Sequence, residues 1–403
     1  MIVNIEKGKA RGRVNAPPSK SMAHRLLICA ALSDGESIIH GMSDCEDVRA
    51  THDCLSALGV PFEQNGDTVK VKGIDAAKMS ASVPLSCRES GSTLRFFVPL
   101  CMISGKNTML TGAPQLMKRP MNVYEALAKE KELTFSQDDK SVIVKGPLKS
   151  GEYKVAGNVS SQFISGLLFA LPLVNGDSTI NIIPPVESRS YIELTLFALR
   201  EFGVEVVWKD DYTLFIRGGQ TYKATETTVE GDYSGAAFFE AMNTLGSEIS
   251  VDGLREDSLQ GDKVYSRYFE MLGKGTPTIH IGNCPDLGPV LFAVAAAKNG
   301  GIFTGTARLK IKESDRAAVM AEELKKFGVS VTIHDDAVVV YPLDFHKPTE
   351  ALCGHGDHRI VMALSVLLTL TGGAIDGAEA VSKSFPTFFE DVKRLGIEVR
   401  YEA

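Results

Sequence analysis

The residues best suited to chemistry stand at the predicted starts of helices. In the segment 16–32, two prolines force an extended chain, so Ser19 or Ser21 can cap a helix that carries Lys20 and Arg25. Free N–H groups and the helix dipole favour anions at such a start. The glycines of a nucleotide-binding P-loop are missing. The segment therefore indicates local anion binding, with a capped helix and solvated basic side chains as the alternative.

Two further segments repeat this pattern. Segment 87–100 has a Ser-Gly-Ser-Thr start with Arg95 close behind, and Gly91 lets a ligand approach the backbone. Segment 157–173 has hydroxyl and amide side chains before an apolar stretch. Each start could be a plain helix cap. Three such starts in one chain favour phosphate or carboxylate binding.

Charged residues also cluster later in the chain. The sequence KESDR places Lys312, Glu313, Asp315 and Arg316 around one more helix start, although charged residues there are commonly a solvated first turn. GDHR precedes an apolar helix, and SKSFP follows further on. His355 and the His of GDHR form an HxxH spacing with no further ligand nearby, so we expect no metal.

The elements that position these residues form a repeat. Its unit is an amphipathic helix, a Gly at the helix end and a short pair of strands closed by a turn. Five copies span 50–73, 124–146, 192–218, 266–282 and 319–342, and the last, 389–401, stops after one strand. Six copies predict two domains of three units. The alternative is that these segments are not copies of one repeat, because any α/β protein contains helix–Gly–strand units.

Composition excludes several classes of protein. The hydrophobic content of 44% argues against disorder. The length of 403 residues exceeds what a single hydrophobic core usually serves. The net charge of −7 argues against a general nucleic-acid coat. The seven scattered cysteines form no CxxC pair, and the start lacks a signal-peptide pattern, so we expect a cytoplasmic protein.

Taken in order, the motifs PPSKSMAHR, ESGSTLR, GNVSSQF, KESDR, GDHR and SKSFPTFF resemble the 5-enolpyruvylshikimate-3-phosphate synthase family, from Pro17 to about Val392. The resemblance implies an α/β (α+β) protein with the enolpyruvyl transferase fold, an inside-out α/β barrel. That fold has two similar domains, each of three βαβαββ repeats. Here it implies an inserted domain of residues 20–230 and a discontinuous domain of residues 1–19 plus 231–403.

The resemblance also implies an activity. The family transfers the enolpyruvyl (carboxyvinyl) group of phosphoenolpyruvate to the 5-hydroxyl of shikimate 3-phosphate and releases phosphate, on the route to chorismate and the aromatic amino acids. It uses no metal and no organic cofactor. The expected partners are these two small molecules, with no nucleic acid and no membrane, and the expected state is a monomer.

Site residues carry over by motif position. The substrate-binding trio is Lys20, Ser21 and Arg25, and Lys20 reaches both substrates. Residues that resemble the shikimate-phosphate contacts are Ser160, Ser161, Gln162, Ser188 and Tyr191. Asp286 and Lys312 resemble the groups that hold the shikimate ring. Residues that resemble the phosphoenolpyruvate clamp are Gly91, Arg119, Arg316, Arg359 and Lys383. The implied catalytic residues are Lys20, Asp286 and Glu313.

The reaction explains these residue types. Two phosphates and two carboxylates repel one another, so several cations are needed, and arginine forks bind both groups bidentately. The 5-hydroxyl loses a proton as it attacks C2, while C3 gains one, which requires a base and an acid. We assign Asp286 as the base and Glu313, with Lys20 nearby, as the acid.

Two positions depart from the family pattern, and three alternatives remain. Glu89 and Arg308 each occupy a position where the family often has Asn. A UDP-N-acetylglucosamine enolpyruvyl transferase would carry a Cys or Asp in the loop 112–120, which has neither. A non-catalytic phosphate-binding paralogue would have lost the acid and base. An RNA-binding or RNA-processing relative would be expected to carry a basic surface.

Overall fold

The computed structural model describes residues 1–402 and divides into two compact units. The inserted unit is Pro18–Glu230. The discontinuous unit combines Met1–Pro17 with residues 231–402. Each unit has its own hydrophobic core. Within the described residues, no helix combines the length and apolar character needed to cross a membrane.

The helices follow in chain order. They are α1 (Lys20–Ala31), α2 (Glu46–Ala57), α3 (Gly91–Ile103), α4 (Pro114–Met117), α5 (Asn122–Glu130), α6 (Ser161–Ala170), α7 (Arg189–Glu201), α8 (Tyr233–Thr244), α9 (Tyr265–Lys274), α10 (Gly288–Ala297), α11 (Arg316–Lys325), α12 (His358–Thr371) and α13 (Phe388–Arg394). Short 3-10 turns include Gly261–Val264, Pro285–Leu287 and Ala307–Ile311.

The strands are short throughout. They are β1 (Ile2–Ile5), β2 (Arg11–Asn15), β3 (Ser33–Asp34), β4 (Glu36–His40), β5 (Phe62–Asn65), β6 (Thr68–Lys72), β7 (Leu85–Ser86), β8 (Thr108–Thr111), β9 (Thr134–Gln137), β10 (Ser141–Lys145), β11 (Gly151–Ala156), β12 (Ser178–Ile183), β13 (Val206–Trp208), β14 (Thr213–Ile216), β15 (Tyr222–Lys223), β16 (Glu226–Thr228), β17 (Glu248–Asp252), β18 (Thr278–His280), β19 (Gly301–Thr304), β20 (Ser330–Ile333), β21 (Ala337–Tyr341), β22 (Leu352–Cys353), β23 (Gly373–Asp376) and β24 (Val399–Glu402).

The sheets repeat one pattern. In the inserted unit, four-stranded sheets have the orders β16-β4-β6-β5, β7-β8-β10-β9 and β11-β12-β14-β13. In each, the first pair is parallel and the other two pairs are antiparallel. The discontinuous unit has the same arrangement in β18-β19-β21-β20 and β22-β23-β1-β24, plus the parallel pair β17-β2. Five sheets thus confirm the predicted βαβαββ architecture, and the sixth repeat is represented by the β17-β2 pair.

Two details differ from the repeat as the sequence suggested it. The copy at 266–282 ends in a single strand, β18, which pairs in parallel with β19 instead of closing a hairpin. The glycine that follows the helix and the glycine that ends this copy are too close in the sequence to leave room for two strands and a turn. The copy at 389–401 is completed by β1, which lies between β23 and β24 and places Val3 opposite Tyr401.

The two helices of each repeat have different environments. In the first helix, such as α3, α6, α10 and α12, nearly every side chain is buried. The second helix is amphipathic and ends at a glycine with positive φ, as at Gly59, Gly203, Gly328 and Gly396. Buried helices surrounded by half-exposed sheets are the arrangement that the resemblance implies. The polar groups at the N-terminus of each first helix therefore lie next to the hydrophobic core.

Candidate active site

In the inserted unit, the start of α1 brings Lys20 to an acidic partner. Ser19 caps the helix by accepting a hydrogen bond from the Met22 backbone N–H. The Lys20 Nζ lies 2.7 Å from the Asp47 Oδ2, and the two side chains are only 14% and 11% exposed. Asp47 lies in the first turn of α2, where acidic residues commonly stabilise the helix dipole. The sequence therefore gave no reason to pair it with Lys20.

Arg25 is buried and connects α1 to α7. Its guanidinium donates to the Ser21 carbonyl at 2.6 Å, the Tyr191 carbonyl at 3.0 Å and the Thr195 hydroxyl at 2.9 Å. Burial lowers the pKa of Arg25 to about 10, which keeps the side chain cationic at neutral pH. The structure thus brings together three of the predicted substrate-binding residues.

Two guanidinium groups converge on Gly91 at the start of α3. A Cβ built on Gly91 would lie 2.7 Å from the Arg119 Nη1 and 3.1 Å from the Arg95 Nη1. The Arg95 Nη1 also donates to the Gln162 Oε1 at 2.7 Å, and the Gln162 Nε2 donates to the Ser92 hydroxyl at 2.8 Å. Glycine is therefore required here for close approach. Arg95, which the resemblance did not single out, belongs to this cluster.

A chain of buried hydroxyls fixes the same helix start. The His24 Nδ1 lies 2.8 Å from the Thr51 Oγ1, which lies 2.8 Å from the Thr93 Oγ1. The Thr93 hydroxyl donates to Ser90 at 2.8 Å, and the Ser90 hydroxyl caps α3 by accepting from the Thr93 backbone N–H. Helices α1, α2 and α3 are therefore locked together next to Gly91.

This chain leads to a prediction about stability and pH. Burial, together with the charges of Lys20 and Arg25, holds the pKa of His24 well below its usual 6.5. Below pH 6.5 the unfolded chain binds a proton that the folded protein excludes, so His24 costs stability as the pH falls. We expect the unfolding free energy of wild type to fall relative to His24→Leu by about 1 kcal/mol per pH unit below pH 6.5.

Urea unfolding between pH 5 and 8 measures this difference. His334→Leu, at an exposed position, is the control and should follow the wild-type pH dependence. A constant difference between wild type and His24→Leu across this pH range would contradict the prediction.

The starts of α6 and α7 carry the remaining predicted residues of this unit. Ser160 caps α6 by accepting from the Gln162 backbone N–H, and Ser161 is the first helical residue. Ser188, just before α7, is buried and adopts φ 57°, ψ 39°, in the left-handed region. A non-glycine residue held there is characteristic of functional sites. Tyr191 follows in the first turn of α7.

In the discontinuous unit, Arg316 joins three carboxylates. It is 1% exposed, and its donors lie 2.8 Å from Asp286, 2.6 Å from Glu313 and 2.8 Å from Asp357. Burial alone would lower the pKa of Arg316, but Asp357, Glu313 and Asp286 together raise it. Arg316, expected in the phosphoenolpyruvate clamp, therefore holds carboxylates in this structure.

Asp286 is surrounded by cations. Besides Arg316, the Lys312 Nζ lies 3.1 Å from its Oδ1, and the Arg359 Nη2 lies 3.1 Å from its Oδ2. These charges stabilise the ionised carboxylate. Burial lowers the pKa of Lys312, while Asp286 opposes that shift. Five predicted site residues are thus connected through direct ion pairs: Asp286, Lys312, Glu313, Arg316 and Arg359.

Two further acids belong to this cluster and were not among the predicted site residues. Asp357 caps α12 through the Arg359 backbone N–H and accepts from the Ser314 hydroxyl at 3.1 Å. Asp262 is buried, and the Ser234 hydroxyl donates to it. Burial, assisted by the negative charge of Asp286, raises the pKa of Asp262 to about 6. Asp262 has no sequence signal of its own, because its neighbours are distant in the chain.

The two residues that depart from the family pattern, Glu89 and Arg308, have distinct environments. Glu89 is exposed, whereas Ser90 next to it is buried. Arg88 adopts φ 49° and forms ion pairs with Glu46 and Asp53. Arg308 is buried in the other unit, with its Nη1 3.5 Å from the Gly282 carbonyl oxygen.

One group of side chains has metal-ligand types. Within the described residues, ligand atoms of Glu322, Glu323 and His355 lie within 4.8 Å of one another. The Lys326 Nζ, however, lies 3.1 Å from the Glu323 carboxylate and competes with any cation. His358 is not part of this group. The arrangement is that of an ion-paired carboxylate.

Comparison with known proteins gives a consistent result. The family model described as EPSP synthase (3-phosphoshikimate 1-carboxyvinyltransferase) matches residues 5–392. The 3-phosphoshikimate 1-carboxyvinyltransferase of Clostridium kluyveri is 39% identical over 419 aligned positions, with 98% of each chain covered. That of Clostridium acetobutylicum is 39% identical over 420 positions, again with 98% of each chain covered.

Solved structures show the same fold. An EPSP synthase from Acinetobacter baumannii superimposes with a TM-score of 0.80 at 24% identity, covering 99% of this chain and 100% of that one. The enolpyruvyl transferase NikO from Streptomyces tendae gives a TM-score of 0.78 at 15% identity, covering 99% and 98%. At these identities the structures establish the shared architecture.

Proposed function

The chain belongs to the EPSP synthase family, and we propose that it transfers the enolpyruvyl group of phosphoenolpyruvate to the 5-hydroxyl of shikimate 3-phosphate, with release of phosphate. The observation that carries the proposal is the ion-paired cluster around Asp286. It combines two carboxylates suited to proton transfer with cations suited to anionic substrates.

Phosphoenolpyruvate is the proposed ligand of several arginine and lysine side chains. In the inserted unit, Arg119 faces the backbone at Gly91, where no Cβ obstructs a ligand. In the discontinuous unit, Arg359 and Lys383 are the proposed clamp residues. Planar guanidinium groups bind phosphate and carboxylate through paired hydrogen bonds. Arg316 supports this clamp by holding the carboxylates that the reaction needs.

Shikimate 3-phosphate is proposed to bind at the helix starts of the inserted unit. The free N–H groups at the start of α6 and the hydroxyls there suit its phosphate. The residues proposed for this role are Ser160, Ser161, Gln162, Ser188, Tyr191, Ser21 and Arg25, with Lys20 serving both substrates. Asp286 and Lys312 are proposed to bind the ring hydroxyls.

The proton transfers are assigned to two carboxylates. Asp286, which forms ion pairs with three cations, accepts the proton of the 5-hydroxyl as the hydroxyl oxygen attacks C2. Glu313 donates a proton to C3, giving a tetrahedral intermediate. Because the Arg316 Nη2 lies 2.6 Å from the Glu313 carboxylate, Glu313 must first take up a proton from solvent, which requires that contact to weaken once substrate anions bind. Collapse of the intermediate returns the C3 proton to Glu313 and expels phosphate, which takes the proton held by Asp286.

Gly91→Ala tests the subsite near Arg119. The new Cβ would lie 2.7 Å from the Arg119 Nη1, so the guanidinium must move away from the ligand. We expect the KM for phosphoenolpyruvate to rise about tenfold, because this contact contributes to binding, while the KM for shikimate 3-phosphate stays near wild type. Steady-state kinetics with each substrate varied in turn gives both values. Equal increases in both KM values would contradict the assignment.

A phosphate-release assay tests the proposed function itself. Release is expected with both substrates and not when either is omitted, which separates transfer from phosphatase action. Replacing shikimate 3-phosphate by UDP-N-acetylglucosamine should give no release. No release with both proposed substrates present would overturn the proposal.

We also propose that the protein acts as a monomer in the cytoplasm. Each unit encloses its own hydrophobic core. All seven cysteines are free thiols, and six of them are buried, which suits a reducing compartment. Light scattering coupled to size-exclusion chromatography measures the mass in solution, and a dimer mass would contradict the monomer.

A further inference from the structure

A fully buried carboxylate outside the assigned site holds the loop that precedes Arg359. The Glu323 side chain is 0% exposed. It accepts hydrogen bonds from the Cys353 backbone N–H at 3.0 Å and from the His355 Nε2 at 2.9 Å. The Lys326 Nζ, 3.1 Å away, balances its charge and also donates to the Ala351 carbonyl at 3.2 Å. Such a buried charge is retained only when it is well paired.

The same face of α11 holds the loop 353–357 at both ends. Arg316 and Glu323 are seven residues apart, so they lie on one side of the helix about 10 Å from each other. Arg316 binds Asp357 at the far end of the loop, and Glu323 binds Cys353 and His355 at the near end. The loop therefore cannot move along the helix without breaking one of these attachments.

The loop in turn sets the position of two proposed clamp residues. Asp357 caps α12, whose second residue is Arg359. The Lys383 Nζ donates to the Gly356 carbonyl at 2.5 Å. His355 adopts φ 49°, a left-handed conformation that a non-glycine residue keeps only when its surroundings impose it. The contact between His355 and Glu323 supplies that constraint.

We propose that Glu323 and His355 form a positioning pair that fixes the loop 353–357 and, through it, places Arg359 and Lys383 for phosphoenolpyruvate. Neither side chain contacts substrate in this proposal, which rests on the proposed function. Clamp residues displaced by a fraction of an ångström bind their anion less well. Loss of the pair should therefore raise the KM for phosphoenolpyruvate more than it lowers kcat.

His355→Leu and His355→Gln provide a matched test. Both replacements meet the same backbone conformation, but only glutamine can donate a hydrogen bond to Glu323. We expect His355→Leu to raise the KM for phosphoenolpyruvate about tenfold, with kcat within about threefold and the KM for shikimate 3-phosphate unchanged. His355→Gln should recover most of this loss. Equal KM values in wild type and His355→Leu, or equal losses in both variants, would overturn the proposal.

Hydrogen exchange separates this proposal from the proposed function. The Cys353 backbone N–H should exchange with deuterium faster in His355→Leu than in wild type, whether or not either protein is active. Inactivity of wild type toward both substrates would refute the proposed function alone. Unchanged exchange across the loop 353–357 in His355→Leu would refute the positioning pair alone.

Discussion

Arg316→Met should lower the free energy of unfolding by about 3–5 kcal/mol and abolish measurable turnover. Arg316 is 1% exposed and is the shared partner of Asp286, Glu313 and Asp357. Without it, these carboxylates repel one another in a buried setting, and two of them lose the orientation that the proposed proton transfers need. Urea unfolding followed by circular dichroism gives the stability, and phosphate release gives the turnover.

Arg316→Lys is the matched control. The lysine ammonium keeps the positive charge but lacks the planar fork that reaches three carboxylates at once. We expect a stability loss smaller than that of Arg316→Met and an activity still far below wild type. An Arg316→Met variant that unfolds within about 1 kcal/mol of wild type would show that the carboxylates are not coupled through this residue.

Glu313→Gln should reduce kcat about 10²- to 10⁴-fold, the range typical of a lost general acid or base. The glutamine carbonyl can still accept from the Arg316 Nη2, which lies 2.6 Å from the Glu313 carboxylate. The fold should therefore be kept, with a change in unfolding free energy within about 1 kcal/mol. Rapid-quench or steady-state kinetics at saturating substrates measures the effect.

Asp315→Asn is the control for the neighbouring charge. Asp315 caps α11 through the Ala318 backbone N–H, and asparagine caps helices about equally well. Near-wild-type kcat is expected for Asp315→Asn. Near-wild-type kcat for Glu313→Gln would show that Glu313 is not the proton donor.

Helix caps, helix ends and strand faces can be predicted from neighbouring residues in the sequence. Ser19, Ser90 and Ser160 cap the helices that their motifs predicted, because capping depends on residues two or three positions apart. The glycines that end the amphipathic helices have the positive φ expected there. The alternation of Val and Lys from Val69 to Lys72 likewise suits a half-buried strand, and in β6 both valines are buried and both lysines are exposed.

The contacts that give the site its charge pattern depend on distant parts of the chain. Lys20 meets Asp47, and Arg316 meets Asp357, across 27 and 41 positions. No local pattern selects these acids from the 50 in the chain. The placement of β1 between β23 and β24 has the same origin, since only the folded sheet brings the ends of the sequence together. Motif resemblance named the cations and two of their partners, Asp286 and Glu313, but it did not name Asp47 or Asp357.

Transfer of an enolpyruvyl group by this chain breaks the bond between C2 and oxygen in phosphoenolpyruvate. Phosphoenolpyruvate labelled with oxygen-18 in the bridge between C2 and phosphorus tests it directly, with shikimate 3-phosphate as acceptor. Attack at C2 and expulsion of phosphate carry the label into inorganic phosphate, which is the result we expect by mass spectrometry. Label retained in pyruvate, with unlabelled phosphate, would show cleavage between phosphorus and oxygen and contradict the account.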